Sequence, residues 1–418
     1  MLPLEGFRVL DLTQVLAGPC ATHHLRCMGA EVIKIERPGS GDPMRALDMQ
    51  PEHGGTPPGF RALNAGKKSV TIDLKTTEGR AALLRIAAGC DVFIENFRPG
   101  VARRLGLGPD DIRAVQPKIV YCSISGWGQS GPYSPRGAYD HVIQAATGMM
   151  ALQGSGAAEP PVKVGFPVID IATGIGAAEA ILAARSRRLR GDTAPITLDV
   201  AMVDCALALM SGPAATTLAT GKAPARVGNR GFVGSPGAET FATADGHISV
   251  AANTMGQFAT LCRLLGRPEL ARPPHLPAGL SSGAFLANVA TDALREELRR
   301  AFAAAEADGL EQALNEAGVP AAKVRDLGEY LRANNGDLKP LAALAAKAPA
   351  TARIPLAGLK YTLPVARPGK IICLGLNYLD HVKEGPQKDN VPKFQSIFFR
   401  VLASFTPHMQ PLMRRIKS

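Results

Sequence analysis

Residues 164–174 read VGFPVIDIATG, and Asp170 stands in that apolar run with no metal-ligand partners beside it. Two roles are open to such a carboxylate. A helix pattern of small residues, IGAAEAILAARSRRLRG, follows it, so Asp170 falls where a helix N-cap would fall, and Asp is among the best capping residues. The helix dipole and the free backbone N–H groups there would hold its pKa low. An ionised carboxylate in a mainly apolar pocket is also a nucleophile toward an activated carbonyl such as a thioester, because covalent catalysis splits acyl transfer into two easier steps. The local pattern leaves cap and nucleophile both open.

A second set of chemistry-bearing residues, Arg37, Lys75, Asn96 and Arg104, follows short apolar segments and could converge on an anionic ligand carrying phosphates. His23 and His24 are neighbours in a helical stretch, so they face different directions and read as ordinary helix residues. Several chemistries lack their sequence signal. LTQVLAGP, the first loop, has no GxGxxG, and GIGAAEA after Asp170 has only two of three glycines, which speaks against a dehydrogenase. No GxxxxGK[ST] is present, which removes the phosphate-loop NTPases.

The elements that must position these residues alternate in period. RVLDL, EVIKIE, SVTIDL, DVFIE and KIVYCSI are short runs rich in Val and Ile, separated by the helical stretches GPCATHHLRCMG, TTEGRAALLRIAAG and PDDIRAVQP. Such alternation predicts an α/β fold, a Rossmann-like parallel sheet covered by helices, with ligands at the carboxyl ends of its strands. A large domain is expected over residues 1–220. From about Gly221 the composition shifts, and ETFATADGHISVAA reads as a hairpin about AlaAspGly. It opens a smaller α+β domain over 221–330, while 331–418 reads as linker and tail.

The chain has 418 residues, 46% of them hydrophobic and 5% aromatic, in the range of globular proteins. Its net charge of +11 is uneven: from Thr351 onward eleven Lys and Arg face three Asp and Glu, leaving a surplus of three for the first 350 residues. No nucleic-acid motif accompanies this basic tail, so no nucleic-acid partner is expected. Seven scattered cysteines without a CxxC pair argue against a disulfide framework or a zinc site. With no secretory signal and no run of 18 apolar residues, the expectation is a cytoplasmic protein without a membrane partner.

Several long stretches then align in order with one family. DLTQVLAGP, GAEVIKIERPGSGD, NAGKKSVTIDLKTTEGR, DVFIENFRPGVARRLGLG, RGAYDHVIQAATG and VGFPVIDIATG together resemble the family III CoA-transferases, and the likeness runs through GNRGFVGSPG and FATLCRLLGRPEL to about Leu327. The resemblance implies an enzyme that moves CoA from an acyl-CoA to a carboxylic acid, with coenzyme A as substrate and no tightly bound cofactor or metal. It implies Asp170 as the nucleophile, carrying the acyl group as an aspartyl anhydride. Val15, Ala17, Arg37, Ile72, Lys75, Asn96, Phe97, Arg104 and Tyr139 would line the CoA site, and N–H groups near Gly18 or in GFVGSPG would stabilise developing charge. A homodimer with interlocked chains is implied as well. Leu16 stands where formyl-CoA transferase has a glutamine, which argues against formate and oxalate as the substrates. The related α-methylacyl-CoA racemases share the fold but place a histidine near the position of Tyr139; His141, two residues on, is a poor substitute.

Beyond Leu327, IPLAGLKYTLPVARPGKIICLGLNYLDHVKEG resembles the beginning of the fumarylacetoacetate hydrolase family, with His381 and Glu384 matching its water-activating pair. That family's metal-binding acids have no counterpart before Ser418. The tail therefore reads as a truncated fusion fragment, and a non-catalytic CoA-binding fusion protein is the alternative to the enzyme.

Overall fold

The computed structural model describes residues 2–47, 56–156, 159–231 and 234–333. The fumarylacetoacetate-hydrolase-like tail, with His381 and Glu384, lies outside the described residues. Contacts divide the chain into one unit over Leu2–Phe232 and a second beginning at Val233.

The first unit is built on six strands, β1 (Arg8–Asp11), β2 (Glu31–Glu36), β3 (Lys68–Thr71), β4 (Val92–Glu95), β5 (Val120–Ser125) and β6 (Ile196–Ala201), in the order β3-β2-β1-β4-β5-β6. Every neighbouring pair is parallel. The expected strands all form, because an inner strand of a parallel sheet is buried on both faces and so shows as a run of apolar residues. Val9, Val92, Ile94, Cys122 and Ile124 pack on one face against α1 (Ala17–Cys27) and a later long helix, whereas Leu10, Ile35, Phe93 and Tyr121 pack on the other. That second face is covered by α3 (Thr77–Ala87) and α5 (Pro109–Val115); α2 (Pro58–Asn64) and α4 (Val101–Arg104) are shorter connections. Each fully buried Val, Leu or Ile contributes about 1.5–3 kcal/mol.

After β5 come α6 (Asp140–Ala146), α7 (Met149–Leu152) and the long α8 (Val168–Leu189), and after β6 α9 (Met202–Leu209) and α10 (Ser211–Thr220). The small residues of α8 have a packing reason. A Cβ on Gly174 would lie 2.6 Å from the Cβ of Cys20 and 2.7 Å from the carbonyl oxygen of Ala17, so only glycine lets α8 cross α1 this closely. That crossing brings the first turns of both helices to the same end of the sheet.

The second unit forms the expected hairpin, β7 (Gly237–Thr243) and β8 (Gly246–Ala252), extended by β9 (Ala321–Lys323). Phe241, Ile248 and Val250 build its core with Phe258 and Leu261 of α11 (Met255–Leu264), and with residues of α12 (Asp292–Ala303) and α13 (Ala307–Glu316). Helix α14 (Leu327–Ala333) follows. Among the described residues no single helix is long and apolar enough to cross a membrane; α9 and α10 pass that test only as a pair bent by 81°. Six of the cysteines are described and all are free thiols.

Candidate active site

In a sheet of this order the topological switch lies between β1 and β4, and ligands of open α/β sheets bind in the crevice it creates. The loops leaving these two strands are tied to each other there. The backbone N–H of Gln14 donates to Oδ1 of Asn96 at 2.9 Å, and Nδ2 of Asn96 donates back to the Gln14 carbonyl at 2.8 Å. Two cavities open on either side of this tie, and Gln14 and Phe97 line both.

The first cavity, about 450 Å³, is lined by Arg37 and Pro38 after β2, Ile72 and Lys75 after β3, and Phe97, Val101 and Leu105 after β4. Its apolar walls and two exposed cations suit a flat, phosphorylated group. Glu36, also on its wall, is spent on the protein. Arg45 donates to both its oxygens at 2.6 and 2.7 Å, Ser69 Oγ donates at 2.6 Å and the Asp42 N–H at 3.0 Å. Burial pushes this carboxyl up, but these donors outweigh it and bring its pKa down to about 2. The acid that dinucleotide folds offer to a ribose diol is therefore already occupied here.

The second cavity, about 390 Å³, is lined by Val15, Ala17, Asn96, Phe97, Ser125, Tyr139 and Asp170, together with Arg98 and Arg136. Asp170 is half-buried in the first turn of α8, and no hydrogen-bond donor reaches its carboxylate among the described residues. The expected cap role is not its own. Asp170 is the third residue of the helix, and it is Asp140, buried at the start of α6, that caps α8. Oδ2 of Asp140 accepts from the N–H of Ile169 at 2.6 Å and of Asp170 at 3.1 Å. Gln144 fixes Asp140 by donating to Oδ1 at 2.5 Å, and its own Oε1 accepts from the N–H of Val164 at 2.9 Å.

The low pKa expected for Asp170 is overturned by the same geometry. Burial first, and the Asp140 carboxylate second, push it up to about 7. The helix N-terminus favours the anion, but the loss of water opposes it, and a second carboxylate already holds those amides. Near neutrality Asp170 is thus a more basic, less solvated carboxylate than an exposed aspartate.

Of the residues carried by the family resemblance, Arg37, Ile72, Lys75 and Phe97 meet at the first cavity and Val15, Ala17, Asn96, Phe97, Tyr139 and Asp170 at the second. Arg104, exposed at the end of α4, lines neither, and Gly18 lines neither. Both polar atoms of the Asn96 amide are engaged with Gln14, Oδ1 as acceptor and Nδ2 as donor, so its clear structural task is to hold the 13–17 loop. His23 and His24 sit on α1 away from both cavities, and burial pushes their imidazoles down, His23 to about 4. Tyr139 is exposed and stacks its ring on His141, with centroids 6.4 Å apart. Among the described residues no cluster of His, Cys, Asp or Glu could hold a metal ion.

Residues 4–353 match the family described as CoA-transferase family III, and the chain belongs to that family. The match continues past Leu327 into the stretch that the sequence suggests as linker and tail. Human succinyl-CoA:glutarate CoA-transferase is 41% identical over 268 residues, 64% of this chain and 60% of that enzyme. The chain thus spans less than two thirds of the length of this relative. Acetyl-CoA:oxalate CoA-transferase of Acetobacter aceti is 36% identical over 331 residues, 78% of this chain and 82% of that enzyme. Among solved structures, a CAIB/BAIF family protein from Brucella suis superposes with a TM-score of 0.70 at 35% identity, covering 79% of this chain and 86% of the other.

Proposed function

We propose that this protein transfers CoA between carboxylic acids, with Asp170 as the acyl carrier. The observation that carries the reading is the unpartnered Asp170 carboxylate, raised to about 7 by burial and Asp140, in a cavity that adjoins the Arg37 and Lys75 cavity at Gln14 and Phe97. A CoA thioester would lay its phosphorylated end along Arg37 and Lys75 and bring its acyl end to Asp170.

Asp170 attacks the thioester carbonyl, a C–O bond forms as the C–S bond breaks, and CoA leaves as thiolate. Acylation turns a poorly solvated anion into a neutral mixed anhydride, so the cost of burying the carboxylate is relieved in the step that uses it. The acceptor carboxylate attacks the aspartyl carbonyl and expels the donor acid, and the thiolate then attacks the new acyl group and frees Asp170. Each step exchanges one anion for another, and the cycle takes up and releases no proton. The apolar wall of Ala17, Phe97 and Met202 limits competing attack by water.

Arg98 and Arg136 line the Asp170 cavity without an acidic partner among the described residues, the Arg136 guanidinium lying over the Tyr133 ring at 4.0 Å. Together with relatives named for succinate, glutarate and oxalate, this favours short dicarboxylic acids as acceptors, the second carboxylate pairing with a guanidinium. The resemblance to interlocked dimers makes a homodimer the proposed assembly. Incubation with succinyl-CoA and a panel of mono- and dicarboxylic acids tests the reading by chromatography of the CoA esters. New esters of dicarboxylic acids support it; no exchange with any donor and acceptor, from a protein that binds CoA, supports the non-catalytic alternative.

A further inference from the structure

Among the described residues only two that are not glycine have positive φ, Asn288 and Val15, and Val15 at 68° is the β-branched one. That region is sparsely populated for any residue with a Cβ and least of all for valine, so the surroundings must impose it. Buried charge lies against its backbone. Oδ1 of Asp42 accepts from the N–H of Val15 at 3.2 Å and of Met44 at 2.9 Å, and Oδ2 pairs with Nζ of Lys34 at 2.9 Å. Lys34 also donates to the Thr13 carbonyl at 2.7 Å, so one ion pair grips the loop at two points. The side chains of Asp42 and Lys34 are 0% and 1% exposed.

The two flanks of the loop are held the same way. Nζ of Lys67 pairs with Asp11 at 3.3 Å and donates to the Pro19 carbonyl at 3.0 Å, while Asp11 accepts from the N–H of Thr13 at 2.9 Å. Two buried ion pairs grip one small loop from the elements around it, which is more than stability asks for, because well-packed apolar residues often serve as well or better in such places. Their common effect is the course of residues 13–17, which carries Val15, Leu16 and Ala17 into the cavity that holds Asp170.

We infer that Asp42 is a positioning residue for CoA transfer: its carboxylate holds Val15 in the left-handed region, and so sets the wall against which the acyl group meets Asp170. The inference rests on the CoA-transfer reading of that cavity. It predicts a specific suppressor, since glycine adopts φ near 68° without help.

The test compares Asp42→Ala and Asp42→Asn, each with and without Val15→Gly, by kcat at saturating acyl-CoA well below each melting temperature, by Tm, and by amide hydrogen exchange. Asp42→Ala is expected to lower kcat about tenfold or more, as misplacement of reacting groups does. Asp42→Asn, which keeps an acceptor oxygen, should lose less. Val15→Gly should return most of the lost kcat in either background while Tm stays low. A merely structural Asp42 would lower Tm, leave kcat per folded molecule unchanged and gain nothing from glycine, and either of the last two results overturns the inference. Should Asp42→Ala not fold, the Asp42→Asn pair decides. A parent protein without transfer activity defeats the proposed function and the catalytic part of this inference with it; the hold of Asp42 on Val15 is then decided by amide exchange, with acceleration confined to residues 13–18 expected and unchanged exchange there contradicting it.

Discussion

The ionisation of Asp170 should write itself into the pH dependence of acyl transfer. A carboxyl raised to about 7 is protonated, and so not a nucleophile, below neutrality. At pH 5, two units lower, only about 1% is ionised, so kcat/KM for the acyl-CoA should fall roughly a hundredfold from its plateau, tenfold per unit. An aspartate at the ordinary value of 3.8 would give a flat profile over the same range. The perturbation that isolates the cause is Asp140→Asn. It removes the like charge but keeps an oxygen to accept from Ile169 and Asp170, so the cap survives in outline. The acid limb should then move to lower pH, while the plateau at pH 8 stays within about twofold because Asp170 is ionised there in both proteins. The assay is single-turnover CoA release at low acyl-CoA between pH 5 and 8, acid-quenched and quantified by chromatography. A parent profile flat across that range, or an Asp140→Asn limb that stays put or moves toward alkali, refutes the reasoning.

The same geometry sets four further outcomes. The raised pKa of Asp170 means its neutral form is the one folding favours, so that contribution to stability is whole below about 3.8 and is lost as pH rises to about 7. Melting temperatures of Asp170→Asn and the parent should therefore diverge in favour of the variant from pH 4 to 7, and a gap independent of pH would contradict the shift. Gly174→Ala places a Cβ 2.6 Å from that of Cys20 and should cost about 1–3 kcal/mol in denaturant unfolding. Lys67→Met leaves Asp11 buried without its cation and should cost about 3–5 kcal/mol. Arg37→Ala and Lys75→Ala should raise KM for the CoA ester with little change in kcat, since they line only the cavity that does not hold Asp170.

The sheet is legible because burial on both faces forces uninterrupted runs such as DVFIE and KIVYCSI, and no other element of this length gives that signal next to helical periodicity. The small residues of α8 mark a close helix crossing, although the sequence does not say that α1 is the partner. Residues 289–318, VATDALREELRRAFAAAEADGLEQALNEAG, carry a helical pattern in the sequence, and the structure divides it into α12 and α13 with a break at residues 304–306. The environment of Asp170 escapes a sequence reading for a reason of range. Asp140 begins its own helix, and in the sequence it looks like a local first-turn acid with Gln144 four residues on; the amides it caps lie 29 and 30 residues away. Asp42 is hidden likewise, since a carboxylate after ERPGSG suggests a turn and not a clamp on a residue 27 positions earlier.

The most direct measurement is peptide mapping after brief incubation with succinyl-CoA and trapping with hydroxylamine. The expected result is a hydroxamate, or an intact acyl adduct, on Asp170 in the peptide containing residues 164–174. Turnover without modification at Asp170, or an Asp170→Asn variant that exchanges acids as fast as the parent, would contradict its role as carrier.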